Sequence, residues 1–222
     1  MARPKGGYRD EKNKKIVGTT TVISRFKESG GLLWWAFEQG KAAERGEINS
    51  LYDKRDEAAS AGTLAHDMVE AKIRGHKMPD LDKYPPSVAD YAQQGYDNYL
   101  KWHELSKIKV IETEISLTSE KFRYGGTIDA IIRTTDGLAI GDWKTSSGVY
   151  VDYLLQLAAY KNLWDENFPG HEITGGFHLL RFSKEYADFG HHYWSELDDA
   201  WEQFKLFLQA YRVDKRLKKR AK

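Results

Sequence analysis

GGTIDAIIRTTDGLAIGDWKTS, residues 125–146, decides how this chain is read. It contains two runs of period-two alternation, 126–134 and 138–145, joined by Asp136-Gly137, a dipeptide favoured in two-residue hairpin turns. With that turn, Thr135 faces Leu138, Asp129 lies opposite Lys144, and Ile131 lies opposite Asp142. Residues two apart on a strand share a face, and so do directly paired residues. Asp129, Asp142 and Lys144 therefore project to one side, with the two carboxylates as diagonal neighbours about 7–8 Å apart. Ile128, Ala130, Ile132, Ala139, Gly141 and Trp143 line the other side, while Ile131 and Ile140 share the charged one. Both faces read as covered, so the strands are central. Charges buried there cost several kcal/mol each unless they are compensated. A structural Asp–Lys pair would leave one Asp unexplained. A divalent ion held by Asp129 and Asp142 beside Lys144 accounts for all three, and oxygen ligands of this kind select Mg²⁺ or Mn²⁺.

Outward from the hairpin, the pattern predicts helices at 20–38 (broken at Gly30-Gly31), 53–74 (with an interruption at Gly62) and 87–105. Trp34, Trp35 and Phe37 are expected in a core. A strand at 107–117 alternates, with Ile111, Thr113, Ile115 and Leu117 on one face and Glu112 and Glu114 on the other. After the hairpin come a helix at 152–164 with Asp152 as N-cap, strands near 176–182 and 191–194, and an amphipathic helix over 196–213. This order predicts an α/β fold, a central mixed sheet flanked by helices, in one domain over 1–222. Residues 1–15 read as a basic mobile arm, 16–210 as the core, and 211–222 as a basic tail.

With 41% hydrophobic and 30% charged residues, the chain is globular rather than disordered. No apolar run is long enough for a membrane span, and the first fifteen residues carry no secretory pattern. Zero cysteines exclude disulfides, thiol catalysis and cysteine-bound zinc or iron–sulfur clusters, and fit a reducing, cytoplasmic setting. The formal net charge is only +1, so a polyanionic partner must be met by local clusters. Two exist: Arg3, Lys5, Arg9, Lys12, Lys14 and Lys15 at the start, and Lys215, Arg216, Lys218, Lys219, Arg220 and Lys222 at the end.

Asp129 followed by Asp142-Trp143-Lys144 resembles the PD-(D/E)xK nuclease superfamily, in particular its RecB-like branch of phage-type exonucleases. The branch's G-T-x-x-H-x-x-x-E segment is matched by Gly62-Thr63-Leu64-Ala65-His66 leading to Glu70. Its strand glutamate is matched by Glu114, and its Q-x-x-x-Y helix by Gln156 and Tyr160. Five elements in order, across roughly residues 20–210, make the likeness specific. The first motif here is Thr-Ile-Asp rather than Pro-Asp. The cysteines of the iron–sulfur subgroup are absent, so no such cluster is expected.

The resemblance implies a restriction-endonuclease-like core and Mg²⁺- or Mn²⁺-dependent hydrolysis of DNA phosphodiesters. The product would carry a 5′-phosphate, without a covalent intermediate. It assigns one or two ions to Asp129, Asp142, the Trp143 backbone carbonyl and His66. Lys144 stands beside the attacking water, Gln156 and Tyr160 contact the substrate strand, and Glu70 and Glu114 support. Two carboxylates near Lys144 hold it cationic, which favours an electrostatic role over that of a base. The implied activity is that of an exonuclease in phage-type recombination, repair or replication, compatible with a virus-encoded protein. A recombination or single-strand-binding protein would be its partner. A structure-specific endonuclease and a non-catalytic DNA-binding subunit of the same fold are the alternatives. A glycosidase would leave Asp-x-Lys unexplained.

Overall fold

The computed structural model describes residues 4–27, 30–47, 53–182 and 189–221; Arg3 and Lys222 of the two basic clusters lie outside them. The elements run β1 (Val17–Gly18), α1 (Thr19–Arg25), α2 (Gly30–Glu44), α3 (Asp53–Arg74), a short 3₁₀ turn (Leu81–Lys83), α4 (Pro86–Ser106), β2 (Lys109–Ser119), β3 (Tyr124–Thr134), β4 (Gly137–Thr145), α5 (Val151–Asn167), β5 (Ile173–Phe182), β6 (Phe189–Trp194) and α6 (Asp198–Arg220). The strands form one mixed sheet. β2 and β4 flank β3 antiparallel, β1 adds a short parallel pairing at Tyr124 and Gly125, β5 joins β4 in parallel, and β6 closes the edge.

Helices cover both faces, as the alternation of covered strands predicts. On one side Ile115, Ile128, Ile131, Ile140 and Phe177 pack against Val22 and Ile23 of α1, Leu155 to Leu163 of α5, and Phe204 and Leu208 of α6. On the other, Ala130, Ile132, Ala139, Trp143 and Leu180 meet Leu64, Met68 and Val69 of α3 and Val88, Ala92 and Tyr99 of α4. Among the described residues no helix is long and apolar enough to cross a membrane.

Several local expectations are corrected. The hairpin closes on Thr134 opposite Gly137, leaving Thr135-Asp136 as the turn. Gly137 belongs to β4 because Thr174 presses on it. A Cβ there would stand 2.0 Å from Thr174 Oγ1, which bonds the Asp136 carbonyl at 2.9 Å. The register thus differs by two residues from that of an Asp136-Gly137 turn, a slide that preserves parity along the paired residues, although Ile128, beyond them, turns to the α5 side with Ile131. Asp129 accordingly comes level with Asp142, not Lys144.

Trp34 and Phe37 are not in a core; they are 65% and 55% exposed. Among the described residues, none of α2 belongs to the apolar clusters that cover the two faces of the sheet. Within the basic arm, Tyr8 and Asp10 are buried while its lysines and Arg9 are exposed. Tyr8 is buried against Gly18 and Gly125 and bonds Thr127 Oγ1 at 2.9 Å, while Asp10 pairs with Arg123. The tail is helical to Arg220, because α6 continues past Val213. Asp152 lies in the first turn of α5 and ion-pairs with Lys27 instead of capping it.

α3 runs unbroken through Gly62. A Cβ at that position would stand 2.1 Å from Thr145 Cγ2, so the glycine lets the helix bearing His66 touch the end of β4. Gly62→Ala should therefore lower stability by about 1–3 kcal/mol through overpacking, although alanine gains ~1 kcal/mol in helix propensity. The urea midpoint measures this, and an unchanged or higher midpoint contradicts the contact.

Candidate active site

β3 and β4 stop pairing at Ala130 and Gly141. Beyond that point the edge of β3 is filled by its own side chain, and the Trp143 N–H donates to Asp129 Oδ2 at 3.2 Å. Asp129 and Asp142 are both buried, at 5% and 0% exposure. Lys144 Nζ lies 2.6 Å from Asp142 Oδ2 and 3.9 Å from Asp129 Oδ2, with its stem largely covered. The three groups expected on one face do meet.

The charges do not balance. Two carboxylates face one ammonium, and among the described residues Asp129 Oδ1 and Asp142 Oδ1 have no hydrogen-bond partner. Burial is the main reason that the Asp142 carboxyl is pushed up to about 8, opposed by Lys144 and reinforced by Asp129. Burial pulls Lys144 down, but the Asp142 and Asp129 carboxylates outweigh it and raise the ammonium above its usual range. Unpartnered, deeply buried carboxylate oxygens beside one another are what a hard divalent cation relieves, so the residues present fit Mg²⁺ or Mn²⁺.

A cleft opens beside Asp129, lined by His66, Glu70 and Ile73 from α3, Thr113 and Glu114 from β2, and Trp143. Glu114 has a φ of 55°, a left-handed conformation that non-glycine residues rarely adopt and that concentrates at functional positions. It breaks the alternation read along this strand. Thr113 and Glu114, neighbours in sequence, both reach the cleft, whereas Ile115 turns to the α5 side and Ile111 is exposed. Glu112 and Glu114 therefore do not form one acidic face.

Two α3 residues enter that the motif reading did not include. Asp67 brings its carboxylate within 4.8 Å of ligand atoms of His66 and Glu70, so these three could hold a cation. Arg74 pairs with Glu70 at 3.1 Å and donates to Thr113 Oγ1 at 2.8 Å. Helical spacing was the available signal for both, with Glu70 and Arg74 at i, i+4 and Asp67 and Glu70 at i, i+3. Gln156 and Tyr160 are buried on α5, with Gln156 Nε2 donating to Tyr160 Oη at 2.7 Å. Burial first, then Asp129 and Asp142, raise the Tyr160 phenol well above its usual range. Neither Gln156 nor Tyr160 lines the cleft. His178 and His191 bond each other at 2.8 Å and do not line the cleft.

Comparison with known proteins adds a family. A family model described as the PD-(D/E)XK nuclease superfamily matches residues 41–218. A search of curated proteins finds no match. Among solved structures, a protein from Eubacterium rectale that carries a provisional exonuclease name is 14% identical, with a TM-score of 0.49 and 66% of this chain covered. This chain spans 64% of that protein's length. SSO0001 is also 14% identical, with a TM-score of 0.33, 67% of this chain and 71% of that one covered.

The raised Asp142 value has a consequence for pH. Its proton contributes stability that is complete below the ordinary carboxylate range and lost as pH rises through about 8. Lys144, also raised, adds a loss only above the ordinary lysine range. The protein in EDTA should therefore melt at a lower temperature near pH ~9 than near pH ~6, and Mn²⁺ or Mg²⁺ should raise the midpoint more at the higher pH. Melting that is indifferent to both ions at high pH contradicts a cation site.

Proposed function

This chain belongs to the PD-(D/E)XK nuclease superfamily, and from that premise we propose that it is a Mg²⁺- or Mn²⁺-dependent deoxyribonuclease. Its proposed role is that of an exonuclease in phage-type DNA recombination, repair or replication. One observation carries the reading: two buried carboxylates and a lysine converge where β3 and β4 part, with carboxylate oxygens left unpartnered. A structural ion pair needs neither the second carboxylate nor the adjoining cleft.

In this reading Asp129, Asp142 and the Trp143 carbonyl hold the cation, and His66, with Glu70 and Asp67 beside it, holds a second ion or orients a phosphate. Bound there, a divalent ion supplies Lewis acidity toward a phosphate oxygen and makes a coordinated water more acidic. Lys144 stays cationic between its carboxylates. Its ammonium donates toward the attacking oxygen and offsets the charge that builds on the phosphate. Asp129 and Asp142 fix that ammonium in place, while Gln156 and Tyr160 support them from α5 and meet the substrate strand. Arg74 holds Glu70 at the cleft wall. Glu114, in its strained conformation, faces the same space. DNA is the substrate class, held without base-specific readout.

Lys144→Ala and Asp142→Ala should each cut metal-dependent cleavage by about 10²-fold or more while DNA binding persists. His66→Ala should slow cleavage and shift the preference between Mg²⁺ and Mn²⁺. The deciding assay gives the purified protein end-labelled linear DNA and closed circular DNA with either metal. Degradation of linear DNA with circles intact supports exonuclease action. Normal turnover by the Lys144→Ala protein would falsify the catalytic assignment.

A further inference from the structure

A continuous line of contacts leads from Lys144 to the far end of α6. Lys144 Nζ sits 5.6 Å from the Tyr153 ring, which meets Tyr150 edge-on at 5.5 Å. Tyr150 is 45% exposed and held by Ser147 at 2.8 Å. Lys27 lies over its ring at 5.9 Å and pairs with Asp152 at 2.9 Å. Just before Lys27, Phe26 packs on Phe207 of α6 at 4.9 Å, and Arg25 grips Asp214 through two hydrogen bonds of 3.0 Å. Past Asp214, α6 continues for about 9 Å with Lys215, Arg216, Lys218, Lys219 and Arg220 all exposed.

We infer that nucleic acid leaving the cleavage centre passes over Tyr150 and Lys27 and rests its phosphates on the C-terminal turns of α6. This rests on the nuclease reading above. Charge complementarity identifies the occupant. A chain of formal net charge +1 concentrates five cations in the last turns of one helix, and among the described residues only Lys218 has an acidic partner there, Asp214. Basic residues at a helix C-terminus also favour the helix dipole, but that effect is confined to the last turn and does not call for five of them. The Arg25–Asp214 clamp fixes where the cations stand. It aligns α6 with the α1–α5 junction, so the basic turns and the exposed Tyr150 ring lie on one path from Lys144. A phosphate backbone needs spaced cations, and a base near the cut needs a flat exposed ring; the path supplies both.

The test is binding to a labelled duplex and a labelled single strand in EDTA, so that no cleavage occurs, over a salt series. Lys215→Gln, Lys219→Gln and Arg220→Gln combined keep good helix formers and remove three charges. The slope of log affinity against log salt on duplex should fall by about 2 to 3, with affinity at low salt down about tenfold or more. Lys27→Gln should lower the slope by about 1, and Tyr150→Ala should weaken the single strand more than the duplex. With Mg²⁺, the triple variant should show a raised KM on long DNA and an unchanged kcat. A triple variant with the wild-type slope overturns the inference. So does loss of its binding to phosphatidylserine vesicles alone, which would assign the helix to a membrane, or a wild-type protein that binds neither DNA. Binding with the expected slopes but no cleavage by the wild type under any metal would leave the track standing and remove the nuclease reading.

Discussion

Asp142 has no solvent to share its charge with, and Asp129 has almost none. Between them stands a single ammonium. Keeping two carboxylates and one lysine in the middle of a sheet costs several kcal/mol per uncompensated ion, and the surrounding architecture is organised around that cost. The strands separate so that a backbone N–H can turn to Asp129. α3 brings His66 and Glu70 to the open side. A stable apolar hairpin at this position would need none of these arrangements. The second carboxylate and its unpartnered oxygens are what a simple buried salt bridge would not contain.

Parity survived where register did not. Burial of both faces is strongly encoded in the alternation of Ile128 to Ile132 and Ala139 to Trp143, so the charged trio could be read onto one side from the residues alone. The pairing partner depended on the turn. There a local preference for Asp-Gly lost to a tertiary contact, Thr174 against Gly137. Ile128 shows a further limit. It shares a cluster with Ile131 rather than with Ala130 and Ile132, because β3 is irregular beside Asp129. Glu114 opposes that same irregularity, and no propensity announces a left-handed glutamate. His66 and Glu70, which line the cleft, were legible through family spacing. The packed first residues were not, since their lysines and arginines hid Tyr8 and Ile16, which are buried.

The two halves of the site rest on different kinds of support. Asp142 and Lys144 sit where β4 pairs with β5 alone, and Asp129 sits where β3 has left β4. His66, Asp67 and Glu70 sit on a helix pressed against the end of β4 through one glycine. Leu64, Met68 and Val69 of the same helix are buried against the sheet, so the helix-held set is fixed by core packing rather than by strand pairing.

Tyr8 bonds Thr127, 119 positions further along the chain. A Cβ at Gly125 would stand 2.5 Å from the Tyr8 ring, so the bare backbone at the start of β3 is the seat for that ring. Contacts so distant in sequence carry a large loop-closure cost and slow the step that forms them. Seating Tyr8 is therefore a late event in refolding relative to the β3–β4 hairpin, whose ends are a few residues apart.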